Sequence, residues 1–389
     1  VKGNGGAGGF IGMIEGLNQR TEVAFKDCVN DGTITGRYNL GGFIGQVKSN
    51  SDINITFSDS INNGKNTGSV DNVGGFIGFI GSNNMVMVIS NCTNTGTVTG
   101  RNRVGGVFGY LYMNTKMKMT VSNCVNDGLI TGTDGIGGFI GKIYDNTEIE
   151  VNISNCVNNG PITGKLSFGG FAGFIQKNTN MAITISKCTN NGTLTGGTWI
   201  GGVVGEIRNN DNMIITISNC ANTGLITGFQ AIGGFIGPFY GNTETEVNIS
   251  NCVNSGPITG SAFLGGLAGN MRIRTDTAMT LSNCTNTGEI NGAEYVGGLV
   301  GNIENEGNSE SISFGILNSA NKGNVSAKNK MACGMFCVYS YGAQNLNGTV
   351  LNSINKGSVN ATTSVYGIAT IITKARNVVS MGEVTASSG

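Results

Sequence analysis

From Glu148 to Ile153 the chain reads Glu-Ile-Glu-Val-Asn-Ile, polar and apolar by turns. A period of two predicts a strand with one buried face. The same offsets turn Met117, Met119 and Val121 inward in one stretch, Met181, Ile183 and Ile185 in another, and Met213, Ile215 and Ile217 in a third. The segment around it, Gly137 to Phe168, is GGFIGKIYDNTEIEVNISNCVNNGPITGKLSF. Its first phrase, Gly-Gly-Phe-Ile-Gly, predicts a short apolar strand with glycines at the bends. Asn158-Asn159-Gly160 carries turn chemistry, with Gly160 free to take positive φ. Pro161-Ile162-Thr163-Gly164 predicts a third short strand. Three strands and three bends make one closed coil.

That coil recurs. Cys92, Cys124, Cys156, Cys188, Cys220, Cys252 and Cys284 fall every 32 residues, with Cys28 two periods earlier and Ser60 at the same phase between them. Two residues after each comes Asn: Asn94, Asn126, Asn158, Asn190, Asn222, Asn254 and Asn286, continuing as Asn321 and Asn355. Gly follows two further on. Internal repetition of this kind decides the fold before other signals do. Glycine supplies 66 of 389 residues and β-branched residues fill the periodic positions, which disfavours helix. A propeller would need four strands and roughly 40–45 residues per blade. The prediction is an all-β parallel β-solenoid, or β-helix, of about twelve coils, each residue stacked on its counterpart one coil away. At about 4.8 Å per coil the rod would be on the order of 55 Å long.

Stacking assigns roles to the columns. The Asn column predicts a ladder of side-chain amides passing hydrogen bonds from coil to coil. The cysteines predict a ladder of small buried thiols, because parallel Cβ vectors about 4.8 Å apart lie beyond the usual disulfide range. Phe10, Phe43, Phe76, Phe139, Phe171 and Phe235 form an interior column, completed by Val107, Val203, Leu267 and Leu299. Regular repeats run through residues 1–301. From 302 to 389 insertions appear and the cysteines leave their column, which predicts a drifting section leading toward a cap.

Composition narrows the function. The formal charge is zero, with 23 basic and 23 acidic residues and no histidine. Nucleic-acid binding, which needs a basic face, is disfavoured. Without histidine there is no Ser-His-Asp triad, Cys-His pair or His-based metal site, so neither catalytic residue, metal nor cofactor is expected. The acidic pairs Glu148/Glu150 and Glu244/Glu246 face outward three coils apart, roughly 14 Å by strand spacing. That is too far for glycosidase carboxylates. Lys116 and Lys118, one coil before Glu148 and Glu150, predict a charge ladder between coils.

The phrases Val104-Gly105-Gly106-Val107-Phe108-Gly109 and Ile89-Ser90-Asn91-Cys92-Thr93-Asn94-Thr95-Gly96-Thr97-Val98-Thr99-Gly100 resemble the GLUG-type repeat. That repeat occurs in large secreted and surface-attached proteins, including bacterial adhesins. The ending, Asn355 to Val359 with Val378 to Gly382, is similar to repeat surface proteins of parasitic protists. The resemblance implies fold and location and carries over no catalytic residue.

The segment before each Gly-Gly changes in every unit. Trp199, Phe263 and Tyr295 share one column there, with Ala231 between, and Phe229 lies close by. A second column reads Tyr112, Tyr144, Gln176, Arg208, Tyr240 and Arg272. Aromatics and arginines suit sugar stacking or a protein interface; local packing over the bends would use them too. Nine sequons, at Asn54, Asn91, Asn152, Asn191, Asn248, Asn283, Asn324, Asn347 and Asn360, are candidate glycan acceptors if a eukaryote secretes the chain. The chain opens inside a repeat and is expected to be part of a longer protein. The sum predicts a non-enzymatic extracellular or cell-surface repeat protein, adhesin-like, presenting variable loops to glycans or proteins of a host or neighbouring cell. The alternatives are a subunit of an extracellular filament, stacking end to end on itself, and a polysaccharide-binding or polysaccharide-active β-helix protein.

Overall fold

A computed structural model describes residues 1–15, 20–49, 52–274, 276–306, 312–338, 346–369 and 374–386. Among them every regular element is a strand. The strands pair in parallel and in register into a β-solenoid of about 11 turns of about 32 residues. The chain divides into two compact units, Val1–Thr195 and Gly196–Gly389.

One coil of the first unit shows the plan. Val98–Thr99 and Asn102–Gly105 belong to one sheet, here sheet A. Phe108–Tyr112 belongs to sheet B, Lys118–Ser122 to sheet C, and Val125–Asn126 to sheet D. The three expected strands are present, but the coil holds two more. The segment before Gly-Gly is a strand of sheet A, and the Val-Asn step is a two-residue strand rather than part of a turn. Both are too short for a periodic signal. The alternating strand behaves as its pattern requires. Met119 pairs with Val151 and Val151 with Ile183, all buried, while Lys118 and Glu150 face out. In the second unit Ile215 pairs with Val247 and Val247 with Met279 in the same way.

The corners differ from the expectation. Gly160 does not take positive φ. Positive φ falls instead on four corner columns of mostly non-glycine residues, such as Arg103, Met113, Lys116 and Asn123 within one coil. The corner before the cysteine is Asp or Asn in most coils, the residues that tolerate the left-handed region best after glycine. The Asn-x-Gly glycine serves a close approach: a Cβ on Gly160 would lie 2.1 Å from the Gly128 carbonyl oxygen of the coil before.

The interior is ordered by stacking. Phe43 and Phe76 lie parallel with centroids 4.8 Å apart, and Phe139 and Phe171 do so at 5.0 Å. The Asn ladder runs through both units. Asn94 Nδ2 donates to Asn126 Oδ1 at 2.8 Å, Asn126 to Asn158 and Asn158 to Asn190 at 2.7 Å. In the second unit Asn222 donates to Asn254 and Asn254 to Asn286, each at 2.7 Å. Each amide also reaches the glycine carbonyl two residues on, as Asn158 does to Gly160 at 3.1 Å. A second buried ladder, unforeseen, joins Asn114, Asn146 and Asn178 in the first unit and Asn210 with Asn242 in the second. Its own 32-residue spacing was the available signal.

The cysteines form the expected thiol ladder. Cys92, Cys124, Cys156 and Cys188 are free and buried in the first unit, Cys220, Cys252 and Cys284 in the second. Cys124 Sγ donates to the Ser122 carbonyl at 3.1 Å and accepts from the Cys92 amide at 3.4 Å. Hydrogen bonding with the Cys156 thiol and burial push the Cys124 thiol up to about 12, against an opposing bond with Cys92. Outside the ladder, Cys333 and Cys337 form a disulfide.

Candidate functional site

The residue before each apolar-Gly-Gly phrase sits in the left-handed region in coil after coil. In the first unit it is Asn39, Asn72, Arg103, Gly135 and Ser167; in the second it is Trp199, Ala231, Phe263 and Tyr295. Trp199 holds φ at 67° and Phe263 at 58°. Bulky side chains are rare there, and such strain collects at functional positions. The turn is imposed by the strand pairing on either side. Thr198 pairs with Gln230 and Ile200 with Ile232, so Trp199 lies opposite Ala231, and both take the same left-handed turn in register.

Two further columns on sheet B run beside this one, seven and nine residues later in each coil. One contains Phe79, Tyr110, Lys142 and Phe174 in register. The other contains Tyr112, Tyr144 and Gln176. The sequence revealed the first and third columns but not the middle one, whose Gly-flanked positions look like part of the apolar strand.

In the first unit the three columns meet around a cavity of about 590 Å³. The Arg103 guanidinium lies 4.4 Å from the Tyr110 ring centroid, 3.3 Å from Asn72 Oδ1 and 3.5 Å from Asp71 Oδ2. Tyr110 stacks on Tyr112 at 5.1 Å, and Phe79 meets both rings edge-on. Lys142, only 9% exposed, holds its ammonium 4.1 Å from the Phe174 ring and 4.8 Å from Tyr144. Burial pushes the Tyr110 phenol up, with Arg103 working against it.

In the second unit the same columns are occupied differently. Arg208 Nη1 donates to Tyr240 Oη at 2.8 Å, and Tyr240 Oη donates to the fully buried Glu206 at 2.7 Å. Arg208 also lies 3.3 Å from Glu206. Burial and the Glu206 bond push the Tyr240 phenol up. Arg272 sits 3.6 Å from Glu304 and 3.7 Å from Glu306. Burial raises Glu304, and the Arg272 charge opposes this. Phe263 stacks on Tyr295 at 5.2 Å, with the Lys330 ammonium 5.3 Å from the Tyr295 ring. Tyr295 is buried at 8% exposure, so its ring packs the bend. Trp199 is half-buried, and Phe229, outside the left-handed column, is 58% exposed.

The remaining candidates separate. Glu150 and Lys118 are register partners, but no ion pair within 4.0 Å joins them among the described residues; Glu150 accepts from Asn152 Nδ2 at 2.8 Å. Glu246 accepts from Asn248 at 2.9 Å. Of the sequons, Asn91, Asn191, Asn283, Asn324 and Asn360 are exposed, and Asn54, Asn152 and Asn248 half-buried. The side chain of Asn347 lies outside the described residues. Comparison of the chain with family models, with curated proteins and with solved structures returns no match.

Proposed function

We propose that this chain is a non-enzymatic repeat protein of the extracellular space or cell surface, an adhesin-like scaffold presenting a variable face to surface glycans or proteins. One observation carries the reading. The same left-handed corner holds Asn, Arg, Ser, Trp, Ala, Phe and Tyr in different coils while the buried Asn ladder a few residues away does not change. Fixed strands with a changing, strained corner column, half-buried at Arg103, Trp199 and Phe263, describe a presenting scaffold. The GLUG-type phrases and the exposed sequons support the location. Weak contacts along one column would add through multivalency.

The test is adhesion of the purified chain to cell monolayers. Trp199→Ala with Phe229→Ala should lower binding several-fold at an unchanged melting temperature. Undiminished binding would move these aromatics from recognition to bend packing.

A further inference from the structure

We propose that the Cys333–Cys337 disulfide is a redox latch on the corner where sheet B ends, closed when oxidised and released by a dithiol reductant. The inference goes beyond the presenting role and does not depend on it. Three observations in the second unit carry it. The first is what the two cysteines replace. Every coil from Gly8 to Gly301 carries Gly-Gly-x-x-Gly at the corner between sheets A and B. The first and last positions of that phrase have no room for a side chain. A Cβ on Gly265 would lie 1.9 Å from the Ala268 carbonyl oxygen and 2.5 Å from the Gly301 nitrogen; one on Gly301 would lie 2.6 Å from the Leu264 nitrogen. In the next coil Gly297-Gly298-Leu299-Val300-Gly301 becomes Cys333-Gly334-Met335-Phe336-Cys337. Both restricted positions change together, and to a pair that bonds covalently. The middle glycine stays, because a Cβ on Gly334 would lie 2.6 Å from Cγ of the ladder residue Asn355.

The second observation is the strand pairing. Among the described residues sheet B ends with Val300–Asn305, while sheets C and D continue two coils further. Beyond that strand sheet B keeps only the single bridges from Val300 to Phe336 and from Phe336 to Ala369. The disulfide therefore sits where continuous ladder bonds stop holding the corner. The third is burial. Cys333, Met335, Phe336 and Cys337 are fully buried. The Leu299 amide donates to the Met335 carbonyl at 2.7 Å, Ile303 to Cys337 at 3.0 Å and Gly334 to Tyr366 at 2.8 Å. Two separate thiols need more room than a bonded pair. In a close-packed corner that room comes only from backbone movement, which breaks these bonds.

Release is a thiol–disulfide exchange. A thiolate of the dithiol attacks one sulfur, forms a mixed disulfide and frees one cysteine. The second thiol of the reductant then closes its own ring and frees the other. Two electrons and two protons pass to the protein, and the reductant leaves as a cyclic disulfide. The bonded residues are four apart in sequence. Closing so short a loop is worth on the order of thirtyfold in a local opening equilibrium. Disulfides persist in oxidising compartments, so the closed form is the one a surface protein keeps.

Hydrogen exchange of the full chain, followed by mass spectrometry, tests the latch. Oxidised chain is compared with chain unfolded and refolded in dithiothreitol, so that reduction does not wait on a buried bond. Exchange across 298–303 and 333–337 should quicken at least about tenfold on reduction. The Ala320 and Ile354 amides, bonded to the Cys284 and Ser319 carbonyls, should not change. Alkylation of the oxidised chain in denaturant should label the eight free cysteines and leave Cys333 and Cys337. Cys333→Gly with Cys337→Gly restores the phrase of the other coils and should exchange slowly with or without the dithiol. Cys333→Ser should exchange like the reduced parent in either condition. Four results overturn the proposal: alkylation of all ten cysteines in the oxidised chain, equal exchange in the two parent states, a dithiol response that survives in the double-glycine variant, or equal loosening at Ala320 and Ile354. If the double-glycine variant fails to fold, the parent's two states and Cys333→Ser decide.

Discussion

The Asn ladder and the variable face are built from the same coil and obey opposite rules. Asn94, Asn126 and Asn158 are each fully buried, and each amide is donor to one neighbour and acceptor from the other. A change in one coil strands polar groups in two others, so the column keeps one residue type. The corner column is half-buried at Arg103, Trp199 and Phe263 and buried at Ser167, and its backbone is set by the strand pairs flanking it. Its side chain can change because few buried groups depend on it. A stacked fold thus confines identity to columns with reciprocal partners and leaves variety where the backbone alone sets the geometry.

The sharpest way to break this contrast is inside the ladder. Asn158→Leu leaves the Asn190 carbonyl oxygen without its donor and Asn126 without its acceptor. Each unmet buried group costs about 1–3 kcal/mol, so a loss of about 3 kcal/mol is expected from denaturant midpoints. A loss below about 1 kcal/mol would remove the reciprocal-partner account. The thiol ladder gives the next largest effect, read by pH. The folded Cys124 thiol is raised from 9.0 to about 12. Below pH 9 both states are protonated and its contribution is whole. As pH rises from 9 to 12 the unfolded chain releases a proton that the folded chain retains, and stability falls by about 1.4 kcal/mol per pH unit. Unfolding midpoints followed from pH 8 to 11 should drop at least that steeply, and Cys124→Ser should lessen the slope while the raised Cys156 thiol keeps its share. A flat profile in the parent protein would contradict the assignment.

Smaller effects belong to the corners and the outer surface. Lys187 holds a left-handed corner that Asn or Asp holds in most other coils. Lys187→Gly relieves the clash and should raise stability by about 0.5–1 kcal/mol in thermal melts; a destabilised variant would mean the corner is not strained. Glu150→Gln on the exposed face of sheet C should fall within about 0.5 kcal/mol of the parent, because Gln can still accept from Asn152 and surface pairs contribute little.

Much of this was legible in the sequence. A 32-residue period fixed the coil, the alternating strand gave inside and outside, and single-residue columns gave the Asn, Cys and Phe stacks. The corners were not legible for a physical reason. Glycine was the residue read as free to take positive φ, yet Arg103, Lys116 and Trp199 adopt it in turns that recur at the same phase of neighbouring coils. The glycines answer instead to the next coil, a contact no single-coil pattern reveals. The middle column of the candidate site was missed similarly. Tyr110 and Lys142 follow a glycine within an apolar phrase, and only the fold of sheet B beside sheet A sets them next to Arg103 and Tyr144.

The central claim is that the outer columns are exchangeable while the ladder is not. The most direct measurement transplants one coil's face onto another. Arg103→Ser with Tyr110→Phe and Tyr112→Gln gives that coil the residues found at Ser167, Phe174 and Gln176. Chemical unfolding of this triple variant should stay within about 1 kcal/mol of the parent, since Tyr110→Phe keeps the buried ring and all three residues already pack together in another coil. A loss as large as that of Asn158→Leu would show that the variable face is part of the fold's own support, and the division between scaffold and presented surface would fall.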